Sequence, residues 1–174
     1  GGNVMKKILH LTLFLAIVSV IAGGALAYFN ELTEPVIAEN EAKQERETLL
    51  EMYPDANVED FKDVDLSSVE SKTINKIYSY QDFYIFNMSV SGYSQGTTFL
   101  VSIDKNDLNI DKFIAISNGD TSGLGTQVLE EPFRKSMEGN SADGQLDTIS
   151  GATITSSAVV NGIHEAASVV ESLE

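Results

Sequence analysis

The chain has 174 residues, 43% of them hydrophobic, and a formal net charge of −15, leaving room for one modest soluble domain and a further segment. A chain this negative repels nucleic acid and has no basic patch for a phosphate backbone, which sets DNA and RNA binding aside. Cysteine is absent and the only histidines are His10 and His164, which removes disulfides, thiolate zinc sites, iron–sulfur clusters, Cys-x-x-Cys-His haem attachment and histidine-rich metal centres, so any redox centre must be organic.

From Ile8 to Phe29 no Asp, Glu, Lys or Arg occurs, and Leu, Ile, Val, Ala and Phe dominate. A bilayer is crossed by a helix of about 20 apolar residues, so residues 8–29 are predicted to form a transmembrane helix. Lys6 and Lys7 precede it and Glu31 and Glu34 follow it. The positive-inside bias then predicts a single pass through the cell (inner) membrane, with residues 1–7 cytoplasmic and the folded domain extracytoplasmic. The basic start, the apolar run and Ala25-Leu26-Ala27 also fit a cleaved signal peptide, but the run exceeds the ~7–15 residues of a signal core. Whether Gly1 to Val4, ahead of Met5, are native is left open by the sequence.

Residues 30–71 are predicted to be a helical and acidic connecting segment. Thr33 to Met52 is polar and acidic, with Pro35 placed for a first helical turn, and it reads as a helix leading away from the membrane. The acidic run Glu39 to Glu51 reads as a solvated face or as a surface for a partner subunit. Pro54-Asp55 breaks the pattern, and Asp55 to Ser71 reads as a loop or short irregular strand. Four β-type runs follow, at Lys72 to Tyr80, Phe83 to Ser91, Thr97 to Ile103 and Ile110 to Ile116. In the second of them Tyr84, Phe86, Met88 and Val90 alternate with Ile85, Asn87 and Ser89, which predicts an antiparallel sheet with one buried face. Ser117 to Gly125 is a glycine-containing loop. From Thr155 to Leu173, Val159, Ile163, Ala166, Val170 and Leu173 fall on one helical face. The expected fold is α+β: an antiparallel sheet with flanking helices over residues 72–174, preceded by one transmembrane helix. His164 lies off the apolar stripe and takes no role, and the Asn87-Met88-Ser89 sequon is read as chance.

Asp147-Thr148-Ile149-Ser150-Gly151-Ala152-Thr153-Ile154-Thr155-Ser156 stands immediately before the last helix. A helix start exposes unpaired N–H groups and the positive end of the dipole, and Gly151 and Ala152 leave space for a phosphate against the backbone. Ser and Thr are also the ordinary N-caps, so the residues by themselves admit simple capping and anion binding alike.

Asp147-x-x-Ser150-Gly151-Ala152-Thr153 resembles the flavinylation motif of the FMN-binding domain family, which includes the G subunit of Rnf complexes and the C subunit of the sodium-pumping quinone reductase. The resemblance implies that Thr153 is the acceptor. A flavin transferase, using FAD and a divalent metal, would join FMN through its phosphate to the Thr153 hydroxyl and release AMP. Asp120-Thr121-Ser122-Gly123-Leu124-Gly125 is similar to the family's Glu-Thr-Pro-Gly-Leu-Gly loop, with Asp for Glu and Ser for Pro, and implies ring or ribityl contacts from Thr121, Leu124 and Gly125. Gly92-Tyr93, followed by Thr97 to Asp104, resembles the turn and strand that precede that loop. With Ser150, Gly151, Ala152, Thr155, Ser156, Asp147, Asp120, Gly123 and Tyr93, these make up the expected cofactor site; no metal site or catalytic triad is expected. The short chain favours an Rnf-type G subunit, an electron carrier in a membrane complex that couples ferredoxin and NAD redox chemistry to ion movement. Its expected partners are other membrane and peripheral subunits and the transferase. A stand-alone extracytoplasmic FMN-binding carrier, the quinone-reductase C subunit, and a cofactor-free scaffold are the alternatives.

Overall fold

A computed structural model describes residues 2–67 and 69–173. Gly1, at the start of the expected cytoplasmic segment, Ser68 in the acidic stretch and Glu174 at the end of the expected FMN domain lie outside the described residues.

Helix α1 runs unbroken over Gly2–Met52, 51 residues, where two helices were expected. Pro35 is inside it and not in a first turn. Proline cannot donate to the carbonyl four residues back, and near it Thr33 Oγ1 donates to the carbonyls of Phe29 at 2.9 Å and Asn30 at 3.2 Å. The chain divides into two compact units, the first ending at Lys43 and the second beginning at Gln44. In the first unit the apolar side chains, Ile8, Leu11, Phe14, Ile21 and Phe29 among them, are exposed. α1 is long and apolar enough to cross a membrane by length and composition.

The second unit is built on a five-stranded antiparallel meander in chain order, β1 (Lys62–Asp63), β2 (Ile74–Tyr80), β3 (Phe83–Ser91), β4 (Gly96–Asp104) and β5 (Ile110–Asn118). Phe86, Met88 and Val90 of β3 and Phe99 and Val101 of β4 pack with Val159, Ile163, Ala166 and Val170 of α3 (Thr153–Leu173). α3 approaches closely, since a Cβ on Gly162 would lie 3.0 Å from Val90 Cγ1 and 3.3 Å from Phe99 Cζ. A short helix, α2 (Glu131–Met137), adds Phe133 and Met137 to the same core.

The expectation of one buried face is corrected, because both faces of the sheet are covered. Ile85 and Leu100 are fully buried on the second face, where Tyr78 and Tyr80 pack with Phe61 and with Leu49 and Met52 from the last turns of α1. For this reason the compact unit starts at Gln44 and not near Lys72. The acidic run is likewise fastened to the sheet at its middle, with Asn87 Nδ2 donating to Glu45 Oε1 at 2.6 Å. That bond and one from Asn75 occupy the side chain of the Asn87 sequon. His164 Nε2 lies 2.9 Å from the Gly144 carbonyl oxygen, joining α3 to the loop before the motif.

Candidate functional site

Three chain segments meet beside the first turn of α3. The β3–β4 turn closes with the Gly92 N–H donating to the Gln95 carbonyl at 2.9 Å. After β5, the chain is turned at Asn118, whose Oδ1 accepts from the Asp120 N–H at 2.8 Å and whose Nδ2 donates to Thr97 Oγ1 at 2.6 Å. It then enters a 3-10 turn at Gly125–Leu129. The third segment is the motif, in which Gly151 has φ +87, a left-handed conformation suited to glycine, immediately before the helix starts at Thr153.

Between these segments lies an open cleft of about 290 Å³, at the small end of ligand cavities of roughly 300–1,000 Å³. The β3–β4 turn contributes Tyr93, the loop after β5 contributes Asp120, Thr121, Leu124 and Gly125, and the motif contributes Gly151 to Thr155. Tyr93, Leu124 and Ile154 are 72%, 50% and 58% exposed, an apolar rim in an acidic chain. Ile154 is the one lining residue that the sequence reading did not single out; an isoleucine exposed at a helix start beside Thr153 was its signal.

The expected site residues separate by position. Ser150, Gly123 and Ser156 are not among the lining residues of the cleft, and Asp147 lines a neighbouring depression of about 190 Å³ with Thr148, Ile149, Gln127 and Glu130. Gly123 is at φ +77 and serves the turn, its N–H donating to Thr126 Oγ1 at 2.9 Å.

The motif hydroxyls divide in the same way. Ser156 is fully buried, its Oγ accepting from the Ile149 N–H at 3.0 Å and donating to the Ala152 carbonyl at 2.9 Å. Thr155 is 1% exposed and donates to Asp120 Oδ2 at 2.5 Å. Thr153 is exposed, and among the described residues its hydroxyl reaches only the Ile149 carbonyl, at 3.4 Å. Simple capping does not describe this start. The residue before the helix is Ala152, which has no side-chain oxygen, and Thr153 Oγ1 donates backward and does not accept from a first-turn N–H. The Ser156 N–H donates to the Ala152 carbonyl at 2.9 Å, so the N–H groups of Thr153, Ile154 and Thr155 precede that first intrahelical bond, the arrangement that favours an anion.

Burial by itself would raise the Asp120 carboxyl. Hydrogen bonds from the Thr155 hydroxyl and from the N–H groups of Gln95, Ser94 and Tyr93 outweigh that and hold it down at about 2. The carboxylate is therefore ionised at neutral pH.

The geometry suits a phosphate-bearing ligand: an exposed hydroxyl and the N–H groups that precede the first intrahelical bond stand at the start of a 21-residue helix, beside a partly apolar seat. Residues 92–168 match the family described as FMN-binding domain, whose cofactor is FMN, and residues 4–52 match the RnfG N-terminal region. Over 176 residues the chain is 28% identical to the G subunit of the proton-translocating ferredoxin:NAD(+) oxidoreductase complex of Clostridium ljungdahlii, covering 92% of this chain and 90% of that one. Over 188 residues it is 28% identical to the G subunit of the ion-translocating oxidoreductase complex of Methanosarcina acetivorans, covering 97% of each. The chain thus combines an RnfG N-terminal region with an FMN-binding domain, the two family regions that match it.

Proposed function

We propose that this chain is the covalently flavinylated, electron-carrying subunit of an ion-translocating membrane oxidoreductase that links ferredoxin and NAD, with FMN esterified to Thr153. The observation that carries the reading is that Thr153 is both exposed and on the cleft lip, while Thr155 and Ser156 of the same turn are buried and engaged. In the maturation step the Thr153 oxygen bonds to the FMN-side phosphorus of FAD, the pyrophosphate bond breaks, AMP leaves, and the hydroxyl proton is lost to solvent or to a base on the transferase. Bound FMN supplies one- and two-electron redox chemistry. The chain supplies the rest: the first turn of α3 meets the phosphate charge, Tyr93, Leu124 and Ile154 offer apolar contact to a ring, and Thr121 and Gly125 complete the lining.

The apolar first part of α1 serves as a retained membrane anchor over residues 8–29, with the N-terminus cytoplasmic and the FMN-binding domain outside. The span carries no Asp, Glu, Lys or Arg, so translocation is assigned to partner subunits. Purification of the native chain from its own membranes tests the assignment. Co-purification of a yellow, fluorescent chain with integral membrane subunits and ferredoxin:NAD activity is expected, and recovery as a lone flavoprotein with its own acceptor would contradict it. Protease added to spheroplasts should digest the domain; full protection would reverse the topology.

A further inference from the structure

Asp120 lines the cleft, yet its oxygens are already taken. Oδ1 accepts from the Ser94 N–H at 2.7 Å and the Gln95 N–H at 2.9 Å, and Oδ2 from the Thr155 hydroxyl at 2.5 Å and the Tyr93 N–H at 3.3 Å. A carboxylate offers about four lone-pair sites, so no acceptor capacity is left for a ligand. Two glycines make room for it. A Cβ on Gly92 would collide with Asp120 Oδ2, and one on Gly125 would lie 2.7 Å from the same atom.

We propose that Asp120 is a positioning residue that locks the 92–95 turn, the 119–125 loop and the first turn of α3 into one unit, and so sets the spacing of Tyr93, Leu124 and Thr153 around the cleft. Its significance for the cofactor rests on the flavin reading above; the lock itself does not. Thr155 lies two residues from Thr153 on the same turn, so the bond from its hydroxyl to Asp120 ties the attachment residue to the two loops. Loss of the lock frees the turn that bears Tyr93 and loosens the seat of a flavin that is already attached.

Hydrogen–deuterium exchange on the full chain in detergent, without flavin, reads the lock directly. In Asp120→Asn the Ser94 and Gln95 amides are expected to exchange about tenfold faster or more, the factor that weakening a bond to a charged acceptor brings. Thr155→Val removes one hydroxyl at nearly constant volume and should loosen the Tyr93 amide and the start of α3, which decides the matter should Asp120→Asn lose protection throughout the sheet. On the flavinylated fraction of each variant, flavin anisotropy should fall, and the midpoint potential of Asp120→Asn should rise because an anion beside the cleft has gone. Wild-type exchange in both variants would overturn the lock, and wild-type anisotropy and potential would overturn its role toward the cofactor. If the unmodified chain accepts no flavin, the flavin reading fails while the exchange experiment still decides on Asp120.

Discussion

The floor and the lip of the cleft use the same residue type in opposite ways. On the floor, Thr155 is 1% exposed and gives its hydroxyl to an Asp120 that also holds three backbone N–H groups. On the lip, two residues earlier on the same helix, Thr153 is exposed, with one long contact to a carbonyl. A buried hydroxyl with a charged partner stabilises structure, because losing either member strands the other. An exposed hydroxyl at a helix start that caps nothing adds little to stability and stays open to chemistry. Position on the turn, more than residue type, separates the buried, engaged hydroxyl from the exposed one.

The sharpest way to break this comparison is to exchange the outcomes. Thr153→Ala should eliminate covalent flavin, seen as loss of fluorescence from the denatured chain in a gel, while Thr153→Ser should retain it. Because Thr153 does not cap α3, the alanine variant should lose less than about 0.5 kcal/mol in urea unfolding. Ile163→Ala attacks the seat from below. Ile163 is fully buried between α3 and the sheet, and its truncation should cost about 2–5 kcal/mol with Thr153 still a substrate at temperatures where the domain is folded.

Acid tests the floor through the difference between the wild type and Asp120→Asn, since Asp65, Asp104 and Glu131 are also held below their ordinary values. Asp120 is held at about 2 in the folded chain against an ordinary 3.8. A folded-state value below the unfolded one contributes stability that is present above the unfolded value and is lost as pH falls through the folded value. Unfolding monitored between pH about 4 and about 2 should therefore show a loss of stability that is smaller in Asp120→Asn. The smallest effect belongs to the rim. Leu124→Ala and Tyr93→Ala alter exposed side chains, so stability should change by less than about 0.5 kcal/mol while the fluorescence yield of attached flavin changes.

Periodicity made β3 and α3 legible: β3 occupies the expected Phe83–Ser91, and the stripe of Val159, Ile163, Ala166 and Val170 is buried. The covered second face was not legible, because Leu49, Met52 and Phe61 lie in a stretch whose local composition is acidic and irregular, and only tertiary contact shows what they cover. α2 was missed because its seven residues carry too little pattern to register against the surrounding loop. In the site, the motif and the Gly-Leu-Gly loop were singled out by their resemblance to a family pattern, while residue type alone left capping and anion binding both open. The engagement of Asp120 was not, since its partners Tyr93, Ser94, Gln95 and Thr155 are 25 to 35 residues away in the chain.

Peptide mass spectrometry of the chain made together with a flavin transferase tests the central claim most directly. An added FMN unit confined to the peptide containing Thr153, with fragment ions placing it on that residue and its absence from Thr153→Ala, is the predicted result. FMN on Thr155 or Thr121, or an unmodified peptide from a preparation in which the same transferase flavinylates a proven substrate, would contradict it.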